Sequence, residues 1–166
     1  PRIAIFEQST TYSFLNCLFF KEGQSLEQIC QALSTKPEQI EEIIQYLNTK
    51  LPQYYDIKVQ IFHLGMEGAE EDIRAFYLDY FSQSYSFLGW PFPSISEEAL
   101  TQLIQLFLKA QQVSPNLSSL RQIKYTLAIN LERFNKGRFI ENPSPLLTSH
   151  YSSLIQIPQF EQDIKK

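Results

Sequence analysis

Residues 55–62 read Tyr-Asp-Ile-Lys-Val-Gln-Ile-Phe, and their alternation decides the fold. Ile57, Val59 and Ile61 fall on one face and Asp56, Lys58 and Gln60 on the other, the period of two that marks a half-buried strand. The turn-prone run His63-Leu64-Gly65-Met66-Glu67-Gly68 follows and has room for a second short strand, so a small hairpin is expected here.

Upstream of this stretch the period is helical. Residues 9–22 carry Leu15, Leu18 and Phe19 at helical spacing and stop at Gly23, a candidate left-handed cap. Ser25 and Gln28 form an S-x-x-Q capping box ahead of a stripe of Leu26, Ile29, Cys30 and Leu33. Thr35 and Glu38 read as a second capping box with Pro37 in the first turn, and Ile40, Ile43, Ile44, Leu47 and Leu51 continue the third helix. Three helices closed by a hairpin, with a tight turn between the second and third, give the winged helix-turn-helix plan.

Downstream, the chain is again helical but of another kind, with longer helices separated by Pro- and Ser-rich joints. Ile73, Phe76, Tyr77, Tyr80 and Phe81 share one face of the stretch 69–85. A helix over 94–112, opened by S-x-x-E, carries Leu100, Leu103, Ile104, Phe107 and Leu108. The joint containing Phe87, Trp90 and Phe92 reads as an apolar plug between breakers. A further stripe of Leu120, Ile123, Leu127, Leu131 and Phe134 ends at Gly137, and a shorter helix is expected over 146–156. The expected fold is therefore mainly α: a winged helix-turn-helix unit over 1–67, then a helical bundle over 68–166. The chain starts on Pro1 and stops inside a helical pattern at Lys166, which reads as a piece of a longer protein.

Two segments carry a family likeness. Gly68, Glu70, Ile73, Arg74 and Phe76 fit a Gly-x-Glu-x-x-Ile-Arg-x-Phe pattern at the end of a wing, which resembles the junction in Mga-like virulence regulators of Gram-positive bacteria. Arg133, Gly137, Ile140, Asn142 and Pro143 resemble the middle of a phosphotransferase-system regulation domain (PRD). The resemblance implies a cytoplasmic transcriptional activator with a PRD-like bundle, incomplete at its end, that regulates activity or dimerisation. DNA, a second subunit in a homodimer and a phosphotransferase-system carrier protein are the partners it implies. In regulation domains of this type a phospho-accepting histidine stands seven residues before the Arg. Here that position is Thr126, preceded by Tyr125, so histidine phosphorylation is not expected there. His150 in the next helix is the other histidine of that unit and reads as an ordinary side chain or, alternatively, a regulatory site.

In a winged helix the start of the third helix faces base edges while the wing and helix ends meet phosphates. That makes Ser34, Thr35, Lys36 and Gln39, with Lys50 after the helix and Lys58 and His63 in the wing, the candidate DNA-binding residues. Electrostatics favour them weakly, because residues 34–50 hold Lys36 and Lys50 against Glu38, Glu41 and Glu42. The other reading is a solvated rim on a winged helix used for packing or dimer contacts. The most basic stretch lies elsewhere, in Arg121, Lys124, Arg133, Lys136 and Arg138 against Glu132. It reads as a solvated helix face, with Arg133 a candidate helix cap, or as a regulatory surface for an acidic partner or second subunit.

Composition limits the remaining function classes. A formal charge of -4 argues against a surface that grips phosphate all over. Cys17 and Cys30 sit in apolar helical patterns and read as small core residues of a reduced chain. No apolar run approaches the length that spans a bilayer, so no membrane association is expected. Phosphate loops, nucleophile elbows and metal-ligand spacings are missing, so catalytic residues, metals and cofactors are not expected. The acids Glu70, Glu71 and Asp72 read as helix-start or solvating residues. A competing interaction-module reading assigns the aromatic faces, Phe76, Tyr77, Tyr80 and Phe81 with Phe87, Trp90 and Phe92, to a partner protein.

Overall fold

The computed structural model describes residues 9–85, 89–112, 114 and 116–141. Three helices open it: α1 (Ser9–Phe20), α2 (Leu26–Leu33) and α3 (Pro37–Lys50). A 3-10 turn (Leu51–Gln53) leads to an antiparallel hairpin of β1 (Ile57–Gln60) and β2 (Gly65–Gly68), and then come α4 (Glu70–Ser84), α5 (Glu97–Ala110) and α6 (Leu117–Asn135). This is a mainly helical chain with a winged helix-turn-helix followed by further helices, as the periodicities require.

The local signals act largely as expected. The Ser25 hydroxyl accepts from the Gln28 N–H at 3.2 Å, and the Gln28 side chain accepts from the Ser25 N–H at 2.9 Å, closing the box at α2. The box expected from Thr35 and Glu38 does not form. Pro37 occupies the first helical position, which moves the cap to Lys36 and makes Gln39 the residue whose side chain turns back. Similarly, Ser96 rather than Ser94 caps α5, and the Ser94 hydroxyl instead donates to Glu132.

The wing differs from the expected strand at its tip. Ile57 and Val59 are buried as the alternation demands, but pairing stops where Gln60 faces Gly65, and Ile61 is exposed in the turn. Leu64 takes its place in the core. Gly68 closes the hairpin at φ +144°, where a Cβ would stand 2.5 Å from the Asp56 carbonyl oxygen, so only glycine fits the crossing of chain onto β1. Asn48 of α3 fastens the wing to the helix: its Nδ2 donates to the Val59 carbonyl at 3.0 Å and its Oδ1 accepts from the Val59 N–H at 2.7 Å. A side-chain amide thus completes the outer edge of β1 as a neighbouring strand would.

One hydrophobic core runs from Phe14 of α1 to Ile129 of α6. At its centre Phe19 meets Tyr77 and Phe81 of α4 at ring-centroid distances of 4.5 and 4.9 Å and Phe92 at 6.1 Å. The aromatic rings Phe76, Tyr77, Tyr80, Phe81 and Phe92 are fully buried, so the interaction-module reading of these faces is corrected: they hold α1 against α4 and are closed to a partner. Trp90 is half-buried and its Nε1–H donates to the Ile95 carbonyl at 2.7 Å; Phe87 lies outside the described residues. On α5 only Leu100 and Ile104 are buried, while Leu103 and Phe107 of the expected stripe are exposed. On α6 the buried face is Tyr125, Ala128, Ile129, Glu132 and Arg133, one step round from the stripe expected, and Leu131 and Phe134 are exposed.

Candidate nucleic-acid interface and the buried arginine behind it

Four candidate residues come together at the start of α3. Ser34 adopts the left-handed conformation (φ 51°) that stops α2, and the Thr35 N–H donates to the Cys30 carbonyl at 3.0 Å, so the turn between the helices is tight. The Thr35 hydroxyl donates to Gln39 Oε1 at 2.6 Å, and the same oxygen accepts from the Lys36 N–H at 3.5 Å. Gln39 is thereby held against the helix start with its amide NH2 still able to donate, and Lys36 is exposed beside it. Lys50 is half-buried at the other end of α3, about 20 Å away along a helix of this length. Lys58 and His63 are exposed on the wing, with Lys58 opposite Glu67 in the hairpin register. The structure thus groups Ser34, Thr35, Lys36 and Gln39, joins the wing to the same helix through Asn48, and leaves Lys50 apart.

Arg133 of the basic stretch is buried and Lys124 and Lys136 are half-buried, which corrects the solvated-face reading for these three. Arg133 is 1% exposed. Its Nε and Nη2 donate to both oxygens of Glu70 at 2.8 and 2.6 Å, and its Nη1 donates to Glu22 Oε2 at 3.1 Å. Glu22 lies in the turn after α1 and Glu70 opens α4, so one guanidinium ties α6 to both. Arg74 completes the cluster: its Nε reaches Glu70 at 2.8 Å, its Nη1 reaches Asn130 Oδ1 at 3.1 Å, and its Nη2 reaches the Arg138 carbonyl at 2.8 Å. Arg138 is exposed but pairs with Glu22 at 3.1 Å. Lys136 donates to the Phe19 carbonyl at the end of α1 and lies 5.0 Å from the Phe19 ring. Lys124 pairs with Glu97 of α5 and lies 5.9 Å from the Trp90 ring. Arg121, like Arg138, is exposed, and Thr126 is half-buried on α6. His150 lies outside the described residues.

Electrostatics explain why the cluster is tolerated. Burial pushes the Glu70 carboxyl up, but hydrogen bonds from Arg133 and Arg74 outweigh it and the group sits below the ordinary carboxylate range. Burial likewise opposes the Arg133 charge, and the Glu70 and Glu22 carboxylates restore it, leaving its pKa above the ordinary value. Burial depresses Lys136. Glu70 is therefore more than the helix-start residue it resembles in sequence: its position at the first turn of α4 gives it the dipole, and its two arginines give it a structural task.

Hydrophobic periodicity missed this cluster because it scores a buried charge as exposed. The available signal was the pair of motifs: Glu70 and Arg74 belong to the first and Arg133 to the second, and in space they meet. The wing is coupled to the same place, since the Gly23 N–H donates to the Leu64 carbonyl at 2.9 Å beside Glu22. Among the described residues no group of three or more His, Cys, Asp or Glu side chains is placed to hold a metal ion, and no helix is long and apolar enough to cross a membrane. Cys17 and Cys30 are free thiols, half-buried and buried, and burial pushes both pKa values up.

Residues 3–81 match the family model of the Mga helix-turn-helix domain, a span that takes in the winged helix and nearly all of α4. A putative trans-acting regulator of Streptococcus pneumoniae serotype 4 is 37% identical over 136 residues, covering 82% of this chain and 28% of its own length. The capsule synthesis positive regulator AcpB of Bacillus anthracis is 26% identical over 133 residues, covering 80% and 27%. The anthrax toxin expression trans-acting positive regulator of Bacillus anthracis is 26% identical over 163 residues, covering 87% and 34%. The chain spans between 27% and 34% of the length of these relatives.

Proposed function

The chain belongs to the Mga-like family of regulators, and from that premise we propose that it is part of a bacterial DNA-binding transcriptional activator in which the winged helix contacts duplex DNA. The observation that carries this reading is the group at the start of α3, half-buried Thr35 with exposed Lys36 and Gln39, held in fixed geometry inside the span that matches the helix-turn-helix family. A helix start of this kind offers the positive end of the helix dipole to phosphate, and Gln39 offers an amide to a base edge. Lys36 and Lys58 supply local positive charge on a chain whose overall charge is negative. Affinity then rests on few phosphate contacts, and a full-length protein with more than one such unit would bind more tightly than this unit alone.

The second half of the proposal concerns residues 68–166, a helical unit with a likeness to a phosphotransferase-system regulation domain. Arg133 and Lys136 connect α6 to the end of α1, so a change in the bundle alters how α3 and the wing are presented, a shift between two arrangements. With Thr126 at the acceptor position, control would run through subunit association or a carrier protein docking nearby and not through phosphate on that residue. The work is binding in the cytoplasm, in a homodimer, with no catalytic step.

Fluorescence anisotropy of labelled duplex DNA titrated with the full-length protein at two salt concentrations tests this. Binding that weakens steeply with salt supports the reading, with a log–log slope near two or three for the few cations available. Absence of binding at low salt would refute it.

A further inference from the structure

We propose that the outward face of α5 is the contact between two copies of this chain, which pair their α5 helices antiparallel about a two-fold axis. The inference rests on the homodimer named above and supplies that dimer with an interface. Leu100 and Ile104 of α5 are buried against the rest of the chain, while Ala99, Leu103, Leu106, Phe107 and Ala110 are exposed. Leu103 is 60% and Leu106 68% exposed, and Phe107 flanks them at 38%. With 3.6 residues per turn, Ala99, Leu103, Leu106 and Ala110 fall within about 60° of one another, so they form one narrow apolar stripe along the helix.

The spacing selects a second copy as the occupant. Steps along the stripe are four, three and four residues, and its side chains run small, large, large, small, so it reads the same in either direction. A two-fold contact needs a patch that is complementary to itself, and this stripe is one. Antiparallel pairing about its midpoint sets Leu103 opposite the partner's Leu106 and Ala99 opposite the partner's Ala110, where the alanines let the helix ends close together.

Charge fixes the direction. The charged residues of α5 are Glu97, Glu98 and Lys109, and Glu97 is engaged by Lys124 of α6. Glu98 in the first turn and Lys109 in the last are eleven residues apart, about 20° round the helix, so they share one rim of the stripe. Antiparallel pairing brings Glu98 beside the partner's Lys109 at both ends of the contact. Parallel pairing would set like charges together, a costly juxtaposition, and would align the two helix dipoles instead of opposing them.

Sedimentation velocity of the full-length protein over a concentration series tests this, and the wild type should sediment as a dimer. Leu106→Glu, at an exposed position, should keep its melting temperature and raise the dimer dissociation constant roughly a hundredfold, because each dimer carries the substitution twice at the centre of the contact. Glu98→Lys should raise the constant roughly tenfold, and Glu98→Lys/Lys109→Glu should return it to the wild-type value, a rescue that requires the two positions to face each other across a two-fold axis. Dimerisation unchanged by Leu106→Glu, or a double reversal no better than the single one, would overturn the α5 contact while leaving the homodimer to another face. A Leu106→Glu protein with a lowered melting temperature and an unchanged dimer would also overturn it, making the stripe one that the rest of the full-length chain covers. A wild type that stays monomeric at every concentration would overturn the homodimer reading and this contact together.

Discussion

Replacing Arg133 by Met keeps an unbranched stem of similar bulk and removes the guanidinium that joins Glu22 and Glu70. Breaking a buried ion pair by deleting one partner costs about 3–5 kcal/mol, most of it from the charge left behind. Here two carboxylates are left, but neither is abandoned. Glu70 keeps Arg74 at 2.8 Å and Glu22 keeps the more exposed Arg138 at 3.1 Å. The expected loss is therefore at the lower end, about 3 kcal/mol. In urea unfolding of the 166-residue chain followed by far-ultraviolet circular dichroism, a slope of about 2 kcal/mol/M turns this into a midpoint lowered by about 1.5 M. The triple variant Arg133→Met/Glu22→Gln/Glu70→Gln turns the two carboxylates that lost their shared guanidinium into neutral amides and should recover part of the loss, since the amide oxygens can still accept from Arg74 and Arg138. A midpoint lowered by less than about 0.4 M would refute the reasoning. So would a triple variant no more stable than the single one.

Other consequences follow from the same geometry. Asn48→Ala deletes both hydrogen bonds to Val59 and should cost about 1–2 kcal/mol, with faster hydrogen exchange at the Val59 amide than at core amides of α4. Glu70 has a depressed folded pKa, so its contribution to stability is complete above its ordinary value of 4.5 and declines as pH falls below it; Glu70→Gln should flatten that acid limb in a pH series of urea midpoints. The Tyr77 hydroxyl is buried with no hydrogen-bond partner among the described residues, and Tyr77→Phe should leave stability unchanged or raise it by up to about 1 kcal/mol, read by thermal melting.

Sequence reading reached the three helices, the wing and the aromatic face of α4 because each is written in local chemistry. The S-x-x-Q box at Ser25 and the alternation at Ile57 and Val59 need only nearest neighbours to act. It failed where a distant group decides the outcome. Leu131 and Phe134 look like the core face of α6, but the face that is buried is the one bearing Arg133, because Glu22 and Glu70 wait for it more than sixty residues away in sequence. No periodicity encodes that partnership. Ile61 failed for a different reason: the hairpin pairs Gln60 with Gly65, so the chain turns one residue before the alternation ends and Leu64 fills the core instead. The candidate DNA residues at the start of α3 were legible as a group, while the hydrogen bond that fixes Gln39 to Thr35 followed from Pro37 shifting the cap by one position.

Hydrogen exchange of the full-length protein, with and without saturating duplex DNA, addresses the central claim most directly. The account predicts added protection in residues 34–39 and 58–63, with the amides of α5 unchanged. Protection confined to α5 and α6, or none in the winged helix while DNA is bound, would contradict it.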